Sequence, residues 1–490
     1  MALTGVGGLD DILGGGLRTN RLYLVEGVPG SGKTTLSLQF LLEGVRNGER
    51  VLYVTLSETS EELQEVADSH GWNLEGITVR ELVPSESTLH PEEQYTMFHP
   101  ADVELSETTK TILDDVERIK PARVVFDSLS ELRLLAGNPL RYRRQILALK
   151  QFFGGRQCTV MLLDDLTSSE RDLQVQSIAH GVILLEQMNP EYGAGRRRVR
   201  VVKYRGVKFR GGYQDYTIVR GGLDVFPRLV AAEHRKQQAL VKLSSGIAPL
   251  DSLLGGGIER GTSSIVVGPP GTGKSSVAAQ FAVAAAERGE QTAMFIFDES
   301  ANTLLNRSSG LGMPLERHVT SGRIMLRQVD PAELSPGEFV HAVRRAVDQE
   351  NVSLVVIDSL NGYLAAMPSE RFLIIQLHEL LTYLGQQGIA TLMIGTHQGV
   401  IGTQMNSPVD ASYLADSVLL LRYFEDRGEI RQAISVIKKR AGQHERTIRE
   451  FSMKGGRIQV GEPLHGFRGV LTGVPTLEGH AGPIARKESP

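Results

Sequence analysis
The chain has 490 residues, 41% of them hydrophobic, 22% charged and only 6% aromatic, with a formal net charge of −4. Length and apolar content suffice for about three globular domains with large buried cores, which excludes a disordered or fibrous chain. The near-neutral balance and sparse aromatics argue against a nucleic-acid stacking platform, the sharpest basic spot being Arg196 to Arg198.

From the N-terminus, Met1 to Gly8 lacks the charged and apolar regions of a secretory leader. No apolar stretch reaches the roughly 20 residues that span a bilayer. The single cysteine, Cys158, excludes an intrachain disulfide framework and is expected to pack as a small apolar residue in a strand. A soluble cytoplasmic protein is expected.

The chain repeats itself. Gly5 to Glu58 and Gly246 to Glu299 align without a gap, sharing a Leu-Asp pair (Leu9, Asp10 and Leu250, Asp251) and a glycine triplet (Gly14 to Gly16 and Gly255 to Gly257). We expect a first domain over 1–230, a polar linker over 231–244, a second domain over 245–468 and a mobile tail over 469–490. Within the first copy, Arg21 to Glu26, Val51 to Leu56, Arg123 to Asp127 and Thr159 to Leu163 read as strands alternating with helices. This predicts an α/β fold with a mostly parallel sheet covered on both faces. Gly181 to Glu186, Arg198 to Tyr204 and Tyr213 to Val219 are predicted to extend it antiparallel.

Gly27 to Thr34 (GVPGSGKT) and Gly268 to Ser275 (GPPGTGKS) fit the phosphate-loop pattern, each between a predicted strand and a predicted helix. The nucleotide-binding residues are expected to be Gly30, Ser31, Gly32, Lys33, Thr34 and Thr35, and Gly271, Thr272, Gly273, Lys274, Ser275 and Ser276. Glycines let backbone N–H groups turn inward around phosphates, and the helix N-terminus adds partial positive charge. Lys33 and Lys274 are expected to reach the β- and γ-phosphates of ATP. Thr34 with Asp127, and Ser275 with Asp358, are expected to hold Mg²⁺, each Asp ending an apolar strand run. Two further strands end in Ser57, Glu58 and in Asp298, Glu299. A carboxylate there faces the γ-phosphate and can orient or deprotonate the attacking oxygen; the alternative is a helix-capping cluster.

Together these motifs resemble the KaiC family, two-domain RecA-like ATPases, over nearly the whole chain. The segment Val436 to Phe451 adds to the likeness. The resemblance implies a double-ring homohexamer with ATP at each subunit boundary, completed in trans by Lys203 and Arg205 in the first half and by Lys438 and Arg440 in the second. It also implies an ATPase first half and a serine/threonine autokinase second half, with Ser412 and Tyr413 at the phosphorylated positions, together acting as a timing or signalling switch, and a KaiB-like partner. Where the family carries two adjacent glutamates, this chain has Ser57 and Glu58, and Asp298 and Glu299, so the catalytic set includes Asp298. The tail is short beside the family's activator-binding tail, so activator binding there is not expected. Two other functions fit less of the chain. One is a DNA-dependent motor using Arg196 to Arg198 and Lys208, and the other is a nucleotide-gated scaffold without kinase chemistry.

Overall fold
Leu22–Gly27, Val51–Thr55 and Arg123–Asp127 are buried along their whole length, as parallel strands covered on both faces must be. The computed structural model describes every residue except 83–99, 167–172, 191, 235–240, 331, 366–372, 397–412, 427, 471–475 and 478–490, with backbone alone at 100–109, 173–174, 365 and 476–477. The described chain divides into two units, Met1–Arg228 and Leu229–Pro490.

The first unit is built on β1 (Leu22–Gly27), β2 (Val51–Thr55), β3 (Ile77–Glu81), β4 (Arg123–Asp127), β5 (Thr159–Asp164), β6 (Gly181–Met188), β7 (Arg196–Tyr204), β8 (Gln214–Val219) and β9 (Gly222–Phe226). They form one nine-stranded sheet in the order β3-β2-β4-β5-β1-β6-β7-β8-β9. Strands β3 through β6 run parallel, and β7, β8 and β9 extend the sheet antiparallel. Alternate residues feed two cores. Tyr23 and Val25 pack with Leu36, Phe40 and Leu41 of the helix Lys33–Arg46, and Leu22 and Leu24 with Tyr142, Ile146 and Leu149 of the helix Pro139–Gly154. Cys158 lies just before β5 and is 2% exposed. Its thiol is pushed up to about 12 by burial.

The second unit opens with a two-stranded ribbon, β10 (Lys242–Leu243) with β11 (Ile258–Glu259). Its main sheet holds β12 (Ser263–Gly268), β13 (Gln291–Ile296), β14 (Ile324–Gln328), β15 (Val352–Asp358), β16 (Ala390–Thr396), β17 (Ser417–Asp426), β18 (Glu429–Lys439), β19 (Arg449–Ser452) and β20 (Gln459–Pro463). The order β14-β13-β15-β16-β12-β17-β18-β19-β20 repeats that of the first sheet, position for position. The edge strands β3 and β14, and the last strands β9 and β20, had no counterpart among the predicted elements.

The described residues at the start of the linker and of the tail make specific contacts. In the linker, Ala231–His234 forms a 3-10 turn on the second unit, where the Ala231 N–H donates to Glu379 (3.2 Å) and the His234 ring meets Tyr383 edge-on. In the tail, Val470 is buried beside Phe424 and Ala433, and β21 (Phe467–Arg468) pairs with β22 (Thr476–Leu477).

Candidate active site
In each unit the chemistry gathers at the carboxyl ends of adjacent strands, the crevice where open α/β sheets bind ligands. In the first, the phosphate loop follows β1, Glu58 follows β2, Asp127 ends β4 and Asp165 follows β5. Gly30 and Gly32 take φ of 80° and 89°, a left-handed conformation that glycine adopts without steric cost. Gly271 and Gly273 do the same at 80° and 95°. A side chain at Gly273 would also lie 2.9 Å from Met453 and Phe451. Ser31, Thr35, Thr272 and Ser276 are buried beneath the loops, and Thr272 donates to the Pro269 carbonyl at 2.8 Å.

Lys33 is buried, and its Nζ donates to the carbonyls of Gly27 (2.8 Å) and Val28 (3.2 Å) and ion-pairs with Asp165 Oδ1 at 2.8 Å. The second carboxylate oxygen of Asp165 accepts from Ser130 (2.7 Å). Burial draws the Asp165 pKa upward, but the bonds from Lys33 and Ser130 outweigh it and hold the carboxyl below its usual range. The Thr34 hydroxyl donates to Glu58 Oε1 at 3.4 Å. Burial, reinforced by the neighbouring Asp127 charge, pushes Glu58 up to about 7. Asp127 is likewise raised by burial, although Tyr53 donates to it at 2.6 Å.

The second unit repeats the scaffold with different partners. Lys274 donates to the Pro269 carbonyl at 2.8 Å, and burial brings its ammonium down to about 8 against the pull of Asp358 and Asp298. Asp358 is raised to about 6, first by burial and then by Glu299, while Ser275 opposes the rise. Asp298 accepts from Ser359. Glu299 is clamped by Arg307 through two bonds of 2.7 Å.

These residues fit Mg·ATP. Glu58 Oε2 and Asp358 Oδ2 are buried acceptors without a hydrogen-bond partner beside the phosphate-loop hydroxyls, a costly arrangement unless a cation or bound water meets them. Among the described residues no group of three His, Cys, Asp or Glu side chains could hold a metal. One hydroxyl with one carboxylate is the set that Mg²⁺ completes with substrate phosphates and water.

The residues expected to act in trans lie far from their own phosphate loops. Lys203 and Lys438 pair with Val182 and Val418, near the amino-terminal ends of β6 and β17. The register of each copy slips just before them, leaving Val202 and Ile437 bulged and exposed. Such bulges re-aim the side chains that follow. Lys203 donates to the Gln176 carbonyl, Arg205 to that of Ser177 and Lys150 to that of Ile178. All three cap the carboxyl end of the helix Leu173–Ile178, where its dipole favours cations. Lys438 donates to Ala415 (2.7 Å), while Arg440 pairs with Asp416 and donates to the Tyr413 carbonyl (2.9 Å). Tyr413 is 54% exposed; Ser412 lies outside the described residues. Arg196 to Arg198, considered above for DNA, sit within β7, with Arg198 paired to Glu186 and stacked on Tyr213.

A family model described as "ATPase: KaiC" matches residues 2–230 and again 243–465. The chain belongs to the KaiC ATPase family. Relatives of this KaiC-family chain include circadian clock protein KaiC3 of Synechocystis sp., 26% identical over 480 residues covering 96% of this chain and 94% of the relative. Circadian clock oscillator protein KaiC of Parasynechococcus marenigrum is 27% identical over 479 residues, 96% of this chain and 92% of the relative. The protein of the same name from Synechococcus elongatus is 27% identical over 480 residues, 96% and 91%. No described helix is long and apolar enough to cross a membrane.

Sequence reasoning missed Asp165, Arg307 and Tyr53. Asp165 carried a signal of the kind that singled out Asp127, a carboxylate following an apolar run. Arg307 and Tyr53 carried none, because folding alone brings them to Glu299 and Asp127.

Proposed function
We propose that this KaiC-family ATPase is a cytoplasmic double-ring hexamer whose first half mainly hydrolyses ATP and whose second half also phosphorylates the chain itself, at Ser412 or Tyr413, as a timing or signalling switch. The observation that carries the reading is Glu58, a buried carboxylate beside Thr34 and Asp127 whose pKa of about 7 suits a general base. When bound, Mg·ATP supplies an electrophilic γ-phosphoryl group with ADP as its leaving group. The backbone N–H groups of the phosphate loop and Lys33 hold the phosphate oxygens, and Thr34 and Asp127 hold the metal. Glu58 orients the attacking water and takes its proton. In the second half, Lys274, Ser275 and Asp358 have the matching places, and Glu299, supported by Asp298, takes the proton of the accepting hydroxyl. Lys203, Arg205, Lys438 and Arg440 lie too far from their own loops to serve them, which supports their acting on the nucleotide of a neighbouring subunit. The names of the relatives support a clock-like role and a KaiB-like protein as a partner.

The test is to incubate the chain with Mg·ATP and map phosphopeptides by mass spectrometry. Phosphate on Ser412 or Tyr413 that disappears in both Lys274→Ala and Glu299→Gln is expected. Hydrolysis with no phosphopeptide in any state would remove the kinase half of the proposal. It would favour a nucleotide-gated scaffold, a reading supported by the clamp of Arg307 on Glu299 and the bond of Ser359 to Asp298.

A further inference from the structure
The two phosphate-loop lysines sit on equivalent scaffolds but meet different neighbours. In the first sheet Glu26 pairs with Asp164, so Asp165 follows at the end of β5 beside the loop. In the second sheet Val267 pairs with Gly395, and the equivalent residue is Thr396. Lys33 uses its three donors on the carbonyls of Gly27 and Val28 and on Asp165. Asp165 is itself braced by Ser130, which bonds Ser128 next to Asp127. In the second half Asn361 replaces Ser130 and exchanges two hydrogen bonds with the Thr396 backbone (2.7 and 3.1 Å). Among the described residues Lys274 hydrogen-bonds only the Pro269 carbonyl, and no described carboxylate lies within ion-pair distance of it.

An incoming phosphate oxygen must therefore take Lys33 from a carboxylate that is already hydrogen-bonded to it. It then lies close to that displaced negative charge, which raises its free energy further. At Lys274 no carboxylate has to be displaced, and Asp358 and Asp298 act on it only from beyond ion-pair distance.

We infer that Asp165 is a positioning residue that holds Lys33 in the nucleotide-free first half and competes with the phosphates for it. The first half then binds ATP more weakly and releases it faster than the second, and the difference is set by Asp165 against Thr396. The inference rests on reading both phosphate loops as ATP sites. It assigns the two halves unequal affinities, whichever of them carries the faster chemistry.

The test uses the full chain and a fluorescent, non-hydrolysable ATP analogue with Mg²⁺, titrated at equilibrium and chased to read dissociation. Lys274→Ala isolates the first half, and Lys33→Ala isolates the second. Asp165→Asn, nearly isosteric, is expected to tighten the first half by on the order of tenfold, the scale of one charge-assisted hydrogen bond. Thr396→Asp is expected to weaken the second half by a similar factor, and Asp165→Glu, which keeps the charge, to leave the first half weak. If Asp165→Asn leaves first-half affinity unchanged or lowers it, the inference is overturned and Asp165 is structural or contributes to nucleotide binding. Absence of any Lys33- or Lys274-dependent binding would instead overturn the ATP reading itself, and this inference with it.

Discussion
At Glu58 the fold and the proposed chemistry make opposing demands on one proton. Burial beside Asp127 raises its pKa from 4.5 to about 7, so the folded chain favours the protonated form. Its contribution to stability is fully present below the ordinary carboxylate range and is lost as pH rises through about 7. Thermal unfolding of the nucleotide-free first unit should therefore show a stability loss between pH 5 and pH 8, on the order of its pKa shift, that is absent in Glu58→Gln. A general base must be unprotonated, so first-half hydrolysis, read in the Lys274→Ala chain, should climb over the same window. Glu58→Gln should lower it by about 10²- to 10⁴-fold, measured as phosphate release at saturating ATP. Glu58 was legible because a repeat aligned it with Glu299 and a motif placed it near a phosphate loop. What each carboxylate touches was not legible: Glu58 accepts from Thr34 and lies beside Asp127, whereas Glu299 is held by Arg307. The contact depends on one position of the following helix, Arg307 on Ala301–Gly310 against Val66 on Ser60–His70, both helices opening on equivalent caps, Ser300 and Thr59.

Among the elements, β18 shows how far a pattern can be read. It ends in Lys438 and Lys439, with Arg440 just beyond, and strand alternation turns Lys439 away from the side that Lys438 takes. The Lys439 side chain is 1% exposed and pairs with that of Glu259, 5% exposed, at 2.8 Å. It also donates to the Leu254 carbonyl, fastening β18 to the ribbon strand β11. Lys439→Met leaves a buried carboxylate unpaired and should cost about 3–5 kcal/mol, measured by chemical denaturation of the second unit. The resemblance singled out Lys438 and Arg440 and passed over the residue between them. Central strands were legible because burial on both faces leaves unbroken apolar runs. β3 was not, since an edge strand reading ITVRE is half exposed and carries too few apolar residues to stand out. The bulges at Val202 and Ile437 were equally hidden, because an inserted residue changes which face a side chain occupies without changing composition.

For the whole molecule the proposal is a ring. With Mg·ATP, sedimentation should give six chains per particle, and Lys33→Ala should dissociate them. Shared sites can be tested by mixing. In a Lys274→Ala background, Glu58→Gln retains its basic residues and Lys203→Ala retains its base, so each should be inactive alone. Mixed rings contain boundaries with both groups intact, and the mixture should hydrolyse ATP faster than either parent; no gain on mixing would place Lys203 in cis. The repeated sheet order made the two-unit plan legible from sequence, while the contrast between Asp165 and Thr396 emerged only when strand register aligned the copies. The lone cysteine opens one more route. Cys158 is buried, and its thiol stays protonated at ordinary pH, so the native chain is expected to be silent to maleimide dyes. A cysteine introduced on the surface of either unit would then be the one labelled position, and fluorescence could follow each half of an assembled particle separately through its nucleotide cycle.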